Sequence, residues 1–385
     1  MTDKLINILS SWENGRNVLL YGPPATGKTR LISELFQVLD QPPESERGII
    51  LDPDDALNPF SRPDLNLPIP QPVKVVWTTF HQSYTYEDFV LGLIPEMTES
   101  GTKLKPLAGV FLDAALELSD TTSEFNSVVI FIDEINRGNA ARIFGEFMTF
   151  LDFDYREDGR VPLPLPLRQL KYINGQSESI YRSEGKEAQI PIGFKFPKDI
   201  YIVATMNSVD RAAVPIDSAL GRRFDRIEMR PNLSVLARQW ELVESSVPRP
   251  DDDNWENLSP FETAYLLLDS LNLAIAAELG PEFELGHGLL TQLTITDKSE
   301  DYIWQDLANA WDEVIYPQLE DRYSGRPEQL IELLRADTPP LTGNYAWTLR
   351  TALNSVLSAR TVTPVILGEL EIDDIKRSFR WLIRK

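Results

Sequence analysis

Asn17-Val18-Leu19-Leu20-Tyr21-Gly22-Pro23-Pro24-Ala25-Thr26-Gly27-Lys28-Thr29 is the stretch that decides the fold. Val18–Tyr21 reads as a strand and Thr29–Leu39 as a helix. Between them lies a complete phosphate-binding loop, G-x-x-x-x-G-K-[ST]. The spacing has a mechanical reason. Glycine lets main-chain N–H groups turn inward around phosphate oxygens, Lys28 reaches the β- and γ-phosphates, and Thr29 offers a hydroxyl to Mg²⁺. Gly22, Pro23, Pro24, Ala25, Thr26, Gly27, Lys28 and Thr29 are therefore the expected nucleotide-binding residues.

Outward from the loop, the first half of the chain alternates strands and helices. Val73–Thr79 is β-branched and apolar. Val128–Ile132 and Ile200–Thr205 are continuous apolar runs, the mark of strands buried on both faces. The pattern predicts an α/β fold with a parallel sheet and crossover helices. Two insertions interrupt it. Gln41–Pro72 holds eight of the 28 prolines and reads as a surface loop. The other, near 152–197, contains Val-Pro-Leu-Pro-Leu-Pro-Leu at Val161–Leu167, which is excluded from a central strand because proline lacks the N–H donor.

From about Ser234 strand signals fade. Ser259-Pro260-Phe261-Glu262 is a capping box with proline at the first helical position, and Tyr265–Leu279 follows at helical spacing. Ile303, Leu307, Trp311, Ile315 and Leu319 mark one face of another helix, and six of the eight tryptophans lie beyond position 239, as expected of a helical core. The expected division is an α/β subdomain over 1–233, a helical lid over 234–340 and a helical extension of the lid over 341–385.

Composition narrows the chemistry. There is no cysteine and there are only two histidines, His81 and His287, so disulfides, thiolate chemistry and a His-rich zinc site are excluded. The start has no signal-peptide pattern and no apolar run reaches 18 residues, which points to a cytoplasmic protein away from membranes. The net charge of −22 gives no overall field to attract DNA, so contact with nucleic acid is expected through a partner or a local groove. Asp251-Asp252-Asp253 reads as a solvated loop.

Val128-Val129-Ile130-Phe131-Ile132-Asp133-Glu134 has the form of a Walker B strand. Asp133 at the end of a buried strand is placed to hold Mg²⁺, and Glu134 to orient and polarise an attacking water. Thr205-Met206-Asn207 ends the next strand, where Asn207 can hydrogen-bond the water or the γ-phosphate. Arg222 and Arg223 are candidates for a transition-state cation, because guanidinium is a fixed multi-donor charge.

In order, GPPATGKT, FIDEINRGN, ATMNSVDR and ALGRRF resemble an AAA+ P-loop NTPase module. More narrowly, the chain resembles the McrB family, GTP-hydrolysing motor subunits of modification-dependent restriction systems. The resemblance rests on FHQSYTYEDFVLGLIP at Phe80–Pro95, on Met206-Asn207-Ser208-Val209-Asp210 against the family's M-N-x-x-D, and on Phe283–Leu290 and Ala310–Leu334 in the helical part. It implies an AAA+ core with a helical lid, Mg²⁺ and GTP (with ATP open), and a homo-oligomeric ring, usually a hexamer. It also implies a McrC-like nuclease-bearing subunit, with DNA met through that partner or the ring pore. By matching position, Asn207 and Asp210 are the signature pair, Arg222 or Arg223 the trans-acting finger, and Arg137 a residue acting across the interface. The chain departs from the family at Ala25, where glycine is usual, at Ser208-Val209, where Thr-Ala stands, and at Gly286-His287-Gly288, where Gly-His-Ser stands. Some twenty residues precede the loop, so the reader of methylated DNA is expected elsewhere or on another subunit. Pro63-Asp64 and Asp374-Ile375-Lys376 superficially match a nuclease motif, but a Pro-rich loop and a helix are the wrong settings, so cutting is assigned to a partner. The competing readings are a MoxR-like chaperone that remodels protein clients and a nucleotide-dependent switch with negligible turnover.

Overall fold

The apolar runs pair into one five-stranded sheet: β1 (Asn17–Gly22), β2 (Val73–Thr79), β3 (Ser127–Asp133), β4 (Ile200–Asn207) and β5 (Phe224–Glu228), in the order β5-β1-β4-β3-β2. This computed structural model describes residues 2–39, 67–98, 101–157, 163–210, 218–248, 257–295, 299–338, 347–351 and 360–383, together with Val214 and Ile216. The pairs β1–β5, β4–β3 and β2–β3 are parallel. Val128–Ile132 is fully buried, as a strand flanked on both sides must be. The edge strand β5 escaped the sequence reading because Phe-Asp-Arg-Ile-Glu carries three charges and no clean alternation.

Contacts divide the chain into two units, one of Met1–Tyr21 with Lys28–Glu228, the other of Gly22–Gly27 with Met229–Lys385. In the first, helices Lys28–Leu39 and Val110–Ser119 accompany the sheet. Its core is aromatic. Phe89 stacks on Phe111 at 5.7 Å and Phe150 on Phe196 at 4.8 Å, with Phe144 and Phe147 between them. Each such burial contributes about 1.5–3 kcal/mol. Asn17, buried at the start of β1, donates to Leu151 O at 2.9 Å and accepts from Ile202 N–H at 3.2 Å, which ties β1 to β4. A hairpin of Leu91–Thr98 and Gly101–Ala108 projects after Phe89; the sequence reading did not separate it from the family segment. Among its described residues the 152–197 insertion holds four two-residue strands between Tyr172 and Ala188, and Leu165–Arg168 within the proline run is a helical turn. Most of the 41–72 insertion, including Pro63-Asp64, lies outside the described residues.

In the second unit, Ser259 caps the helix Pro260–Glu278. Its hydroxyl accepts from Glu262 N–H, and Glu262 Oε2 accepts from Ser259 N–H at 2.8 Å. The four-residue repeat from Ile303 to Leu319 buries all five side chains, four of them in one core cluster, but not as one regular helix. At 100° per residue such a repeat drifts by about 160° over sixteen residues. A π-helical turn at Trp311–Ile315, between helices Glu300–Ala310 and Tyr316–Arg322, takes up the excess. Trp240, Trp304, Trp311 and Trp347 are buried, as expected of core; Trp255 and Asp251–Asp253 lie outside the described residues. The segment expected as a helical extension is in part β. Trp347–Thr351 pairs antiparallel with Arg360–Pro364 before the helix Ile372–Ile383. Threonine and valine at alternate positions of Arg360-Thr361-Val362-Thr363-Pro364 favour a strand over a helix. Among the described residues no helix is long and apolar enough to cross a membrane.

Candidate functional site

A parallel sheet brings the C-terminal ends of its strands to one edge. Register pairs Ala204 with Ile132 and Thr79 with Asp133, so Thr205 stands level with Asp133. The Thr205 hydroxyl, 2% exposed, donates to Asp133 Oδ1 and accepts from Glu134 N–H at 2.9 Å. One side chain thereby fixes both acidic residues. Sequence reasoning passed over Thr205 as a strand residue; the available signal was a hydroxyl two positions before Asn207, at the level of the acidic pair.

Glu134 turns the chain with φ 56° and ψ 47°, a left-handed conformation that non-glycine residues rarely adopt. Its Oε2 lies 2.7 Å from Arg137 Nε, and Asn207 Nδ2 donates to its Oε1 at 3.4 Å. Arg137 Nε is also 3.0 Å from Asp210 Oδ2. Asn136 Nδ2 donates to Asn207 O at 3.0 Å and holds the end of β4 in place. Glu134, Arg137, Asn207 and Asp210 are thus one cluster, joined by two ion pairs and a hydrogen bond across about 70 residues of sequence. Burial raises the Glu134 carboxyl above its ordinary range; Arg137 pulls it back, and Asp133 and Asp210 add to the rise. A carboxylate of raised basicity suits water activation.

The phosphate loop has the conformation its sequence demands at Gly27 (φ 85°), and Ala25 is also left-handed at φ 59°. Thr26 closes the turn by donating its hydroxyl to Pro23 O at 2.9 Å. Lys28 is 6% exposed; burial lowers its ammonium to about 8, opposed by the charges of Asp133 and Glu134. Thr29 is exposed in the first turn of Lys28–Leu39. Asp133 and Thr29 offer hard oxygen donors. Among the described residues no group of three or more His, Cys, Asp or Glu could by itself enclose a metal. This donor set fits Mg²⁺, which binds to one or two protein oxygens and completes its shell with phosphate and water.

The two candidate finger arginines differ. Arg223 is buried, its Nε 2.9 Å from Asp152 Oδ2 and its Nη1 donating to Ala219 O at 2.7 Å. Arg222 is exposed. Asp374-Ile375-Lys376 sits on the helix Ile372–Ile383, with Asp374 bonded to Arg377. In the second unit His287 is buried and its Nδ1 accepts from Asn232 N–H at 3.2 Å.

Residues 70–224 match the AAA domain of the dynein-related subfamily, and residues 264–330 match the McrB α-helical lid domain. The phosphate loop lies ahead of the first match. The chain is 28% identical over 277 residues to the type IV methyl-directed restriction enzyme EcoKMcrB subunit of Escherichia coli K12, covering 71% of this chain and 46% of that protein. It is 25% identical over 217 residues to the type II restriction enzyme BsuMI component YdiS of Bacillus subtilis 168, covering 56% of this chain and 57% of that one. The chain thus spans about half the length of these curated relatives. A solved Cytophaga hutchinsonii chain superposes with a TM-score of 0.32 at 14% identity, over 86% of this chain and 79% of that one, a likeness too slight to bear on the fold.

Proposed function

We propose that this chain, which matches the AAA domain over 70–224 and the McrB lid over 264–330 and has a parallel five-stranded core, is a Mg²⁺-dependent nucleoside triphosphate hydrolase. In this reading it is the ring-forming motor of a restriction system, uses GTP by preference, and drives a nuclease carried by a partner subunit. The observation that carries the proposal is the Thr205 clamp, which holds the Asp133–Glu134 pair in the electrostatic range of buried Lys28.

The geometry supports the following roles. The loop amides and Lys28 bind the triphosphate, and Thr29 and Asp133 would hold Mg²⁺. Bound there, the cation supplies charge neutralisation on the phosphate oxygens. Glu134 orients a water and accepts its proton as the new O–P bond forms and the bridging O–P bond to the γ-phosphorus breaks, releasing nucleoside diphosphate and phosphate. Asn207 steadies the carboxylate through Oε1. Arg222, exposed where Arg223 is engaged within the chain, is the arginine we assign to a neighbouring subunit's site, a contribution on the order of 10³–10⁵ in rate. Hydrolysis is accordingly slow in dilute monomer and fast on assembly. Phosphate contacts do not distinguish bases, so the preference for GTP rests on kinship alone.

The test is turnover of radiolabelled GTP and ATP across a range of protein concentrations, with and without a purified nuclease-bearing subunit. Lys28→Ala abolishes binding of both nucleotides if the reading holds. Equal affinity in wild type and Lys28→Ala overturns it.

A further inference from the structure

Within the second unit the phosphate-loop tip meets the turn Gly286-His287-Gly288. Gly288 N–H donates to Ala25 O at 2.8 Å. A Cβ built on Gly286 would stand 2.2 Å from Pro24 O and 2.3 Å from Ala25 O. One on Gly288 would stand 2.8 Å from Ala25 O and 3.2 Å from Ala25 Cβ. All but the last of these neighbours are main-chain atoms, which cannot swing aside as a side-chain end would.

The turn itself is held firmly. Asn272, buried on Pro260–Glu278, accepts from Leu285 N–H at 2.6 Å and donates to Leu285 O at 2.9 Å. Buried Arg322 donates Nε to Phe283 O at 2.7 Å. His287 Nδ1 accepts the Asn232 N–H just ahead of helix Leu233–Gln239. The two glycines of a firmly held turn are therefore pressed against Pro24 and Ala25 of the loop, and Ala25 holds a left-handed φ of 59° that alanine rarely adopts.

We propose that Gly286-His287-Gly288 is a positioning element for triphosphate binding: it braces the phosphate loop by fixing the Ala25 carbonyl, so that the amides beyond it face the phosphates. Ala25 and Gly288 are in contact, with Gly288 N–H on Ala25 O and a Cβ at position 288 falling 3.2 Å from Ala25 Cβ, and form a matched pair. The turn touches no reacting atom in this assignment; it acts through the loop. The proposal rests on the nucleotide-binding reading above and goes beyond it by naming lid residues that set affinity.

The test uses the full chain and equilibrium binding of a fluorescent (methylanthraniloyl) GTP and ATP, with thermal midpoints measured in the absence of nucleotide. Gly288→Ala weakens binding about tenfold, and Gly286→Ala weakens it more. Adding Ala25→Gly to Gly288→Ala restores affinity to within about threefold of wild type, because glycine lets the carbonyl move and removes the opposing methyl. A glycine of purely structural importance would lower the nucleotide-free midpoint and leave the affinity of the folded fraction unchanged, and Ala25→Gly would restore nothing; that pattern overturns the proposal, as does wild-type affinity in Gly288→Ala. If Gly286→Ala fails to fold, Gly288→Ala with its rescue decides. Absence of binding by wild type itself would instead defeat the nucleotide reading, a result the Lys28→Ala comparison identifies.

Discussion

Replacing Thr205 with valine keeps the volume and branching of the side chain and deletes one hydroxyl. That hydroxyl serves two groups at once, donating to Asp133 Oδ1 and accepting from Glu134 N–H. Each group left unpaired in a buried setting costs about 1–3 kcal/mol. Asp133 is only partly buried, so water recovers part of its loss and the total falls near the lower end, about 2–3 kcal/mol. For a unit of this size that lowers its thermal midpoint by roughly 5–10 °C. The functional loss is separable. With both carboxylates free to shift, hydrolysis falls by about 10–100-fold, as for other outer-shell partners of metal-site ligands, and the Mg²⁺ concentration needed for half-maximal rate rises. Thr205→Ser keeps the hydroxyl and stays within about threefold of wild type. The assay is phosphate release under a Mg²⁺ titration, alongside thermal melts of the three proteins. A Thr205→Val protein that melts and hydrolyses like wild type would refute the idea that this residue clamps the acidic pair.

Glu134→Gln retains nucleotide affinity within about threefold while turnover falls at least about 10³-fold; retained turnover would remove Glu134 from the water-activating role. Arg222→Ala leaves the melting temperature unchanged and suppresses hydrolysis only in the assembled form, whereas Arg223→Ala, which strands Asp152, destabilises the monomer by about 1–3 kcal/mol in chemical denaturation. The reverse pattern would exchange their roles. Lys28 gives a pH prediction. Its folded value of about 8 lies below the unfolded 10.5, so between those values the unfolded chain binds the extra proton and stability rises with pH. The gain over that window is at most about 3 kcal/mol and vanishes in Lys28→Met. Urea midpoints of the two nucleotide-free proteins from pH 8 to 10 check it, and a constant difference between them would show that Lys28 is not buried as a charge.

The sheet was legible where strands are buried on both faces. Val128–Ile132 and Ile200–Thr205 lengthen by only one or two residues at their ends, while Val73–Thr79, a half-exposed edge strand, matches end for end through its β-branched residues. Burial on both sides leaves an unbroken apolar run that needs no context. Wet-faced strands without such a β-branched run were missed. Phe224–Glu228 reads as charged, and the hairpin of Leu91–Thr98 and Gly101–Ala108 carries proline and lysine on exposed positions. The site divides in the same way. Lys28, Asp133 and Glu134 announce themselves by motif spacing. Thr205 and the Gly286–Gly288 turn owe their importance to partners about 70 and 260 residues away in sequence, and no local pattern records such a pairing. The four-residue spacing of Ile303–Leu319 was read as helix; its excess over 3.6 was a visible sign of the π turn.

The strand order β5-β1-β4-β3-β2 has a bearing on how the molecule is made. Its middle strand joins residues near position 200 to others near 20 and near 130, so the pocket chemistry is absent until most of the core has emerged from the ribosome and paired. Long-range parallel pairing is slow to nucleate. A ligand that grips only the finished sheet deepens the native well by mass action, about 2.7 kcal/mol at a hundredfold excess over its dissociation constant. Cellular triphosphate would then act as a folding aid as well as a fuel, and starved cells would accumulate the least mature protein.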